Sequence, residues 1–423
     1  MRTDKSNGWL RSRVGRLVTA LVVIPTMTAC DSLFEVENPD VIDASTVDPV
    51  ADGTIFSRSA FQTFASALGA YIVYTGWFSN ESWVGDTFPT RNEFGRRLVD
   101  DRNGTHNNEV FFPLARGVSQ AEQVLEILGP VPGQEVNLAR AALTAAYGIL
   151  LQGEAFCEGT FRAANNEPGP LMTPTSLIEA SLTRFDAAIQ YGQAGTGTEA
   201  ANIALAAQVG KGRALLQLGR RTEAAAAVAA VPANFVFNVP FVDDAGNRGR
   251  LGNGVYGFSA GGTREALVVP PHYRSMGDPR VTFVDAGRNA QDATLRLWSQ
   301  TKYGSWAASI PLASGLEARY ITVEAGQNAG AMLAFINERR AVGGQAPITA
   351  TAMPELMAAL MDQRSRDFWL EGKRMGDWRR NPDAVPNILQ PGAYYKDGIG
   401  SVSNQTCLPL PFAEKNANPN IGT

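Results

Sequence analysis

Residues 207–231 read AQVGKGRALLQLGRRTEAAAAVAAV, and this stretch decides the fold. Small and apolar residues recur at helical spacing on both sides of Gly219-Arg220-Arg221, which reads as a turn between two helices. Gly212, Leu215, Gly219 and Ala224 put small side chains where the two helix backbones draw close. Upstream, Leu138, Ala142, Ala145, Ile149 and Phe156 line one helical face, and Ile178, Leu182, Phe185 and Ile189 line another. An Ala-rich, strongly helical region thus runs from 136 to 232, although a generic array of Ala-rich hairpins reads much the same way.

The 207–231 pair resembles a tetratricopeptide unit, and such pairs stack into a superhelix. Working outward, Phe61, Phe64, Ala65, Leu68 and Ile72 predict a helix from about Asp52. An aromatic loop is expected next, with Tyr71, Tyr74, Trp77, Phe78, Asn80, Trp83 and Phe88; residues 109–128 read as helical again. Residues 233–330 are rich in Gly, Pro, Asn and aromatics and predict irregular loops with short strands, the kind of segment that carries function. Helices return at Met332–Arg340 and Pro354–Glu371, with Gly372 suited to the end of the second. The fold class is therefore mostly α: tetratricopeptide-like helical hairpins over about 109–232 in a superhelical scaffold, a loop-rich aromatic segment over 233–330, and C-terminal helices over 331–423, all within one domain from 51 to 423.

The N-terminus reads as an address. Arg2, Lys5, Arg11, Arg13 and Arg16 form a basic stretch before the apolar run Leu17 to Ala29, which is too short to span a bilayer. Met27-Thr28-Ala29-Cys30 resembles a bacterial lipobox, so residues 1–29 are expected to be removed and Cys30 to carry acyl chains. Residues 30–50 then form an acidic extended tether. Loss of residues 1–29 removes five basic residues and one acidic one, so the formal charge of −4 becomes about −8. Cys157 and Cys407 remain in an export compartment. They can bridge over a long loop or pack as two separate thiols; the sequence leaves both open, with separate thiols favoured.

Composition excludes several classes. The chain has 44% hydrophobic residues and no apolar run of transmembrane length, so neither wholesale disorder nor a multi-span membrane protein fits. Lys+Arg 37 against Asp+Glu 41, with no basic block, disfavours nucleic acid. The two histidines, His106 and His272, lie far apart, with no metal-ligand spacing beside them, so neither a metal nor a cofactor is expected. Gly257-Phe258-Ser259-Ala260-Gly261 spells a nucleophile elbow but lacks a preceding strand and an acid between Ser259 and His272. Gly252 to Gly257 spells G-x-G-x-x-G without strand or helix around it. No catalytic residue is assigned.

Four stretches carry a resemblance. They are the mature N-terminus from Cys30 to Pro39, the Phe335-Ile336-Asn337-Glu338-Arg339-Arg340 helix, the block from Arg364 to Arg380, and the C-terminal Leu408-Pro409-Leu410-Pro411 with Glu414 and Asn418-Pro419-Asn420. In order and spacing they are similar to the SusD/RagB family of nutrient-uptake lipoproteins. The resemblance implies a lipid-anchored, non-enzymatic protein on the outer face of the outer membrane. It implies a SusC-like TonB-dependent β-barrel transporter as partner and a glycan, or in some members a peptide, as cargo. Met375 and Gly376 stand where a large aromatic is often found, and Asp31 after Cys30 is an inner-membrane retention signal in enteric bacteria.

Within the strongest block, Arg364, Asp367, Glu371, Arg374 and Asp377 read as a fold-holding ion network on one helix and the turn after it. Sugars need flat aromatic platforms edged by amides. Two clusters offer this: Trp77, Asn80, Trp83 and Asn92, and Trp298, Tyr303 and Trp306. Two other classes stay open, an envelope scaffold that binds only protein and a lipid-anchored glycoside hydrolase.

Overall fold

The computed structural model describes residues 48–162 and 167–421; Cys30, the leader and almost all of the tether lie outside them. Asp48 accepts hydrogen bonds from the amides of Val50 and Ala51 and so starts α1 (Pro49–Phe78), with Pro49 in the first turn, where no amide partner is needed. α1 runs on through Tyr71, Tyr74, Trp77 and Phe78, which the sequence placed in a loop; all four are at most 1% exposed. This end of α1 is buried on every side, from Tyr71 to Phe78, and Asn80, at φ +58°, turns the chain.

α2 (Pro89–Gly95) and a π-helical turn (His106–Phe111) lead into α3 (Phe112–Leu128). Four helices follow, α4 (Glu135–Ala155), α5 (Pro174–Ala194), α6 (Gly197–Gln217) and α7 (Arg221–Val228), each packed on its predecessor. This is the expected stack of hairpins. A Cβ on Gly212 would lie 2.5 Å from Val228 Cγ1, so that contact between α6 and α7 needs glycine. Gly219, at φ +73°, makes the turn between them.

The segment 233–330 is more ordered than its composition implies. β1 (Trp83–Val84) pairs with β3 (Leu267–Val268), β2 (Val236–Val239) with β6 (Ile310–Ser314), and β4 (Phe283–Asn289) with β5 (Arg296–Gln300), all antiparallel. Three four-residue helices lie among them, α8 (Arg248–Leu251), α9 (Gly254–Gly257) and α10 (Pro271–Arg274). The sequence reading missed α11 (Gly315–Gly326), which Ser314 caps by accepting from the Glu317 amide.

α12 (Ala329–Val342), α13 (Met353–Asp367), α14 (Arg374–Arg380), the β7–β8 pair (Gly392–Ala393 with Ser401–Val402) and α15 (Phe412–Ala417) complete the chain. α13 stops at Asp367 rather than Glu371. Leu370 and Gly372 take positive φ, and the Leu370 amide is held by Glu81 at 2.9 Å, so the chain reverses there.

Cys157 and Cys407 form a disulfide, which corrects the expectation of separate thiols. The bond fixes the C-terminal signature to the end of α4. Leu408 pairs there with the backbone of Ala155 and Cys157 at 2.9 and 2.8 Å, and Leu408 and Leu410 are fully buried. His106 Nε2 meets the Pro409 carbonyl at 2.7 Å. The signature is thus a structural seam, its prolines sparing amides that would otherwise need partners.

Candidate functional site

Most of the block from Arg364 to Arg380 is buried, charged residues included. Arg364 Nε donates to both carboxylate oxygens of Asp377 at 2.8 Å. Asp377 also receives Arg380, which pairs with Glu324, and Arg213 forks onto Glu154 and approaches Glu317. The ion network exists, with other partners than helical spacing gave. Glu371, beyond the end of α13, binds Lys302 at 2.7 Å and Lys373 at 3.2 Å. Asp367 takes Arg339 and Arg280, and Arg374 donates to the Ser79 and Pro386 carbonyls. A Cβ on Gly376 would lie 2.6 Å from the Glu154 carboxyl carbon, so a larger side chain has no room here.

Of the seven residues proposed for ligand contact, five lie inside instead of at a rim. Trp77 is 1% exposed, edge-on to Tyr74 and Phe258. The Tyr303 hydroxyl donates to the Leu370 carbonyl, and Trp306 packs edge-on against Tyr256. Asn80 and Asn92 are buried struts. Asn80 Oδ1 accepts from the Trp83 indole at 2.8 Å, and Asn92 Nδ2 donates to the carbonyls of Asp86 and Phe88 at 2.8 and 2.9 Å. Trp83 and Trp298 keep part of their rings at the surface.

Those two tryptophans do not share a platform. Trp83 lies opposite Val268 and packs with Ala290 and Leu297, while Trp298, next to Leu297 along β5, packs with Phe283 toward the main core. Adjacent strand residues point to opposite faces, so the clusters lie on either side of these strands.

An outward-facing ridge is formed by exposed residues 87–89 with half-buried Trp83 and Thr90 beside them. Trp83 stacks on Tyr395 with ring centres 4.1 Å apart and planes 6° from parallel, and the Val84 amide donates to the Tyr395 hydroxyl at 2.6 Å. Phe88 is 51% exposed, with the Arg91 guanidinium 4.8 Å from its ring centre. Arg91 is paired with buried Asp86, whose other oxygen accepts from the Phe88 amide. Glu109, on the π-helical turn, gathers Arg91, the Tyr74 hydroxyl and Arg264 (3.0 Å), and Arg264 lies over Phe258. Phe88, Arg91, Glu109 and Arg264 were not among the sequence candidates. The one available signal was Phe88-Pro89, since the residue before proline is held extended and cannot fold back into a helix. The ridge joins rigid rings with charged donors and acceptors, a surface for stacking and hydrogen bonding.

Behind it, Glu81 is buried and its carboxyl is pushed up to about 7, chiefly by loss of water, against the pull of Arg374. A carboxyl with a raised folded pKa favours the fold while protonated, so its contribution is lost as pH rises from about 4.5 to about 7. Glu81→Gln keeps the acceptor for Leu370. It is expected to flatten that part of the stability–pH profile and to leave the variant more stable than wild type at pH 8. Urea midpoints at pH 5, 6, 7 and 8 check this; parallel profiles contradict it. Burial also lowers His106 to about 4 and His272 to about 3, so both are neutral at pH 7.

Ser259 is 1% exposed, its hydroxyl held between the Val255 carbonyl and the Gln300 amide at 2.8 Å each. Among the described residues no group of three or more His, Cys, Asp or Glu could hold a metal.

No protein-family model and no curated protein sequence matches this chain. Solved structures do. A SusD-like carbohydrate-binding protein from Bacteroides vulgatus superimposes with TM-score 0.68 at 14% identity, over 88% of this chain and 97% of its own. Surface glycan-binding protein A from Bacteroides fluxus gives 0.67 at 13%, over 88% and 98%. Its namesake from Bacteroides thetaiotaomicron, solved with laminarihexaose, gives 0.63 at 14%, over 88% and 98%. This chain therefore shares the fold of these SusD-like structures over most of its length.

Proposed function

We propose that this protein is a SusD-family glycan receptor that binds its cargo without cleaving it, on the ridge of Trp83 and Phe88. The exposed, rigidly supported Phe88 beside Arg264 and Glu109 carries the reading, on a fold whose solved examples include surface glycan-binding proteins. In this reading Cys30 is acylated and holds the chain on the outer membrane, the tether ends before the Asp48 cap of α1, three residues earlier than the sequence reading put it, and residues 48–423 are the receptor domain. Bound glycan passes to a SusC-like TonB-dependent barrel.

Phe88→Ala should weaken glycan affinity about tenfold with little loss of stability, because it removes about 1–1.5 kcal/mol of ring contact at the surface, whereas Trp83→Ala should weaken affinity similarly and also lower stability, since Trp83 packs on Tyr395, Ala290 and Leu297. Titration of a glycan panel, with laminarihexaose included, checks this; unchanged affinity in both variants rejects the ridge. Co-purification of a large barrel protein with acylated wild type, and its loss in Cys30→Ser, tests anchor and partner together.

A second reading, a protein-interaction scaffold, draws on an open groove of about 550 Å³ between α7, α11 and α12, lined by Ala225, Val228, Ala318 and Phe335 and edged by Arg319 and Glu338. Silent ridge variants together with a defect in Ala318→Trp would favour it.

A further inference from the structure

Arg274 ends α10 and lies with its guanidinium 4.8 Å from the centre of the Trp298 ring. Among the described residues no carboxylate comes within ion-pair distance of it, and its Nε–H is buried without an acceptor. The neighbouring acid, Asp285, lies opposite Trp298 in the β4–β5 register, and Arg296 occupies it with two hydrogen bonds of 2.8 and 3.0 Å. The cluster therefore holds two guanidiniums and one carboxylate.

A guanidinium stacked on an indole has lost most of its rotamer freedom and presents its N–H fork edge-on. That fork matches a carboxylate in two-point geometry. A buried donor with no acceptor calls for a partner that arrives with a ligand or with water. The cations that follow along the chain are engaged, Arg280 by Asp278 and Asp367, Arg288 by Glu265, Arg296 by Asp285 and Lys302 by Glu371, and His272 beside Arg274 is neutral at pH 7, so the unspent positive charge is that of Arg274. This face lies on the other side of the strands from the Trp83 ridge, so it reads a different part of an extended ligand.

We propose that Arg274 on Trp298 is a carboxylate-reading subsite, and that the glycan this receptor takes carries uronic acid residues. The inference rests on the glycan-receptor reading and adds the class of sugar to it. Indole and C–H face would stack, while the Arg274 fork takes the ring carboxylate; no bond is made or broken.

The test titrates wild type, Arg274→Ala, Arg274→Lys and Trp298→Phe with oligogalacturonate, oligoalginate and the carboxyl-reduced form of each, with laminarihexaose as the neutral reference. The expected result is that wild type prefers a uronate oligosaccharide over its reduced form by about tenfold or more. Arg274→Ala should abolish that preference, Arg274→Lys should restore part of it, and the melting temperature should hold. Binding of laminarihexaose or of the reduced oligosaccharides with no preference for the acids overturns the subsite and leaves the receptor reading intact. No binding to any of these overturns both. A preference that survives in Arg274→Ala also overturns the subsite, as does binding of acidic peptide in place of uronate.

Discussion

Arg213→Ala should unfold in far less denaturant than the wild type, with a loss of about 3–5 kcal/mol. The Arg213 side chain is 4% exposed and faces Glu154 at 0% and Glu317 at 1%. Its Nε donates to Glu154 at 2.7 Å, and its Nη2 reaches both Glu154 and the Gly372 carbonyl. Truncation leaves two carboxylates in the interior without this cation, and a buried charge without its partner costs far more than the pair contributes. Arg220→Ala is the control. Arg220 also pairs with two acids, Glu223 and Glu179, but the side chain is 38% exposed, so water and salt replace the contact and the urea midpoint should barely move. Urea midpoints of both variants at pH 7 decide it. Similar losses in the two would mean that the central network does not hold the fold.

Replacing Cys157 and Cys407 together by serine should be the other large effect. The bond closes a loop with a sequence separation of 250, for which the chain-entropy account gives about 5 kcal/mol, an upper figure because denatured chains keep some structure. The loss should concentrate at the C-terminal seam, where Leu408 and Leu410 are buried against the end of α4. Proteolysis in the last residues of the chain should therefore precede global unfolding in the variant. Native protein should resist alkylation until reductant is added. Free labelling of both thiols without reductant contradicts the bridge.

How much of this was legible in sequence follows from which forces act locally. The α4–α7 stack was readable because Ala-rich periodicity, Gly212 and the Gly219 turn are local signals that the fold keeps. The end of α13 was not, because Leu370 adopts positive φ only with its amide held by Glu81, far away in the chain. The ion network was readable as a set of residues and not as pairs, since Glu317, Lys302 and Arg213 come from other elements. The disulfide depends on the same distant juxtaposition.

The site was the least legible part. Aromatic residues beside amides describe a sugar platform and a packed core equally well, and burial separates the two only after folding. Trp77 and Tyr303 went to the core, Asn80 and Asn92 became supports, and Phe88, with no distinguishing neighbour except Pro89, emerged at the surface.

The central claim is that a glycan is held intact on the ridge of Trp83 and Phe88. Affinity electrophoresis through gels containing neutral and uronate polysaccharides tests it most directly, run on wild type and the Trp83→Ala/Phe88→Ala double variant. The account predicts that at least one polysaccharide retards the wild type while the double variant runs free, with the polymer recovered at its original length. Equal mobility of the two proteins in every gel, or a shortened polymer, would contradict it.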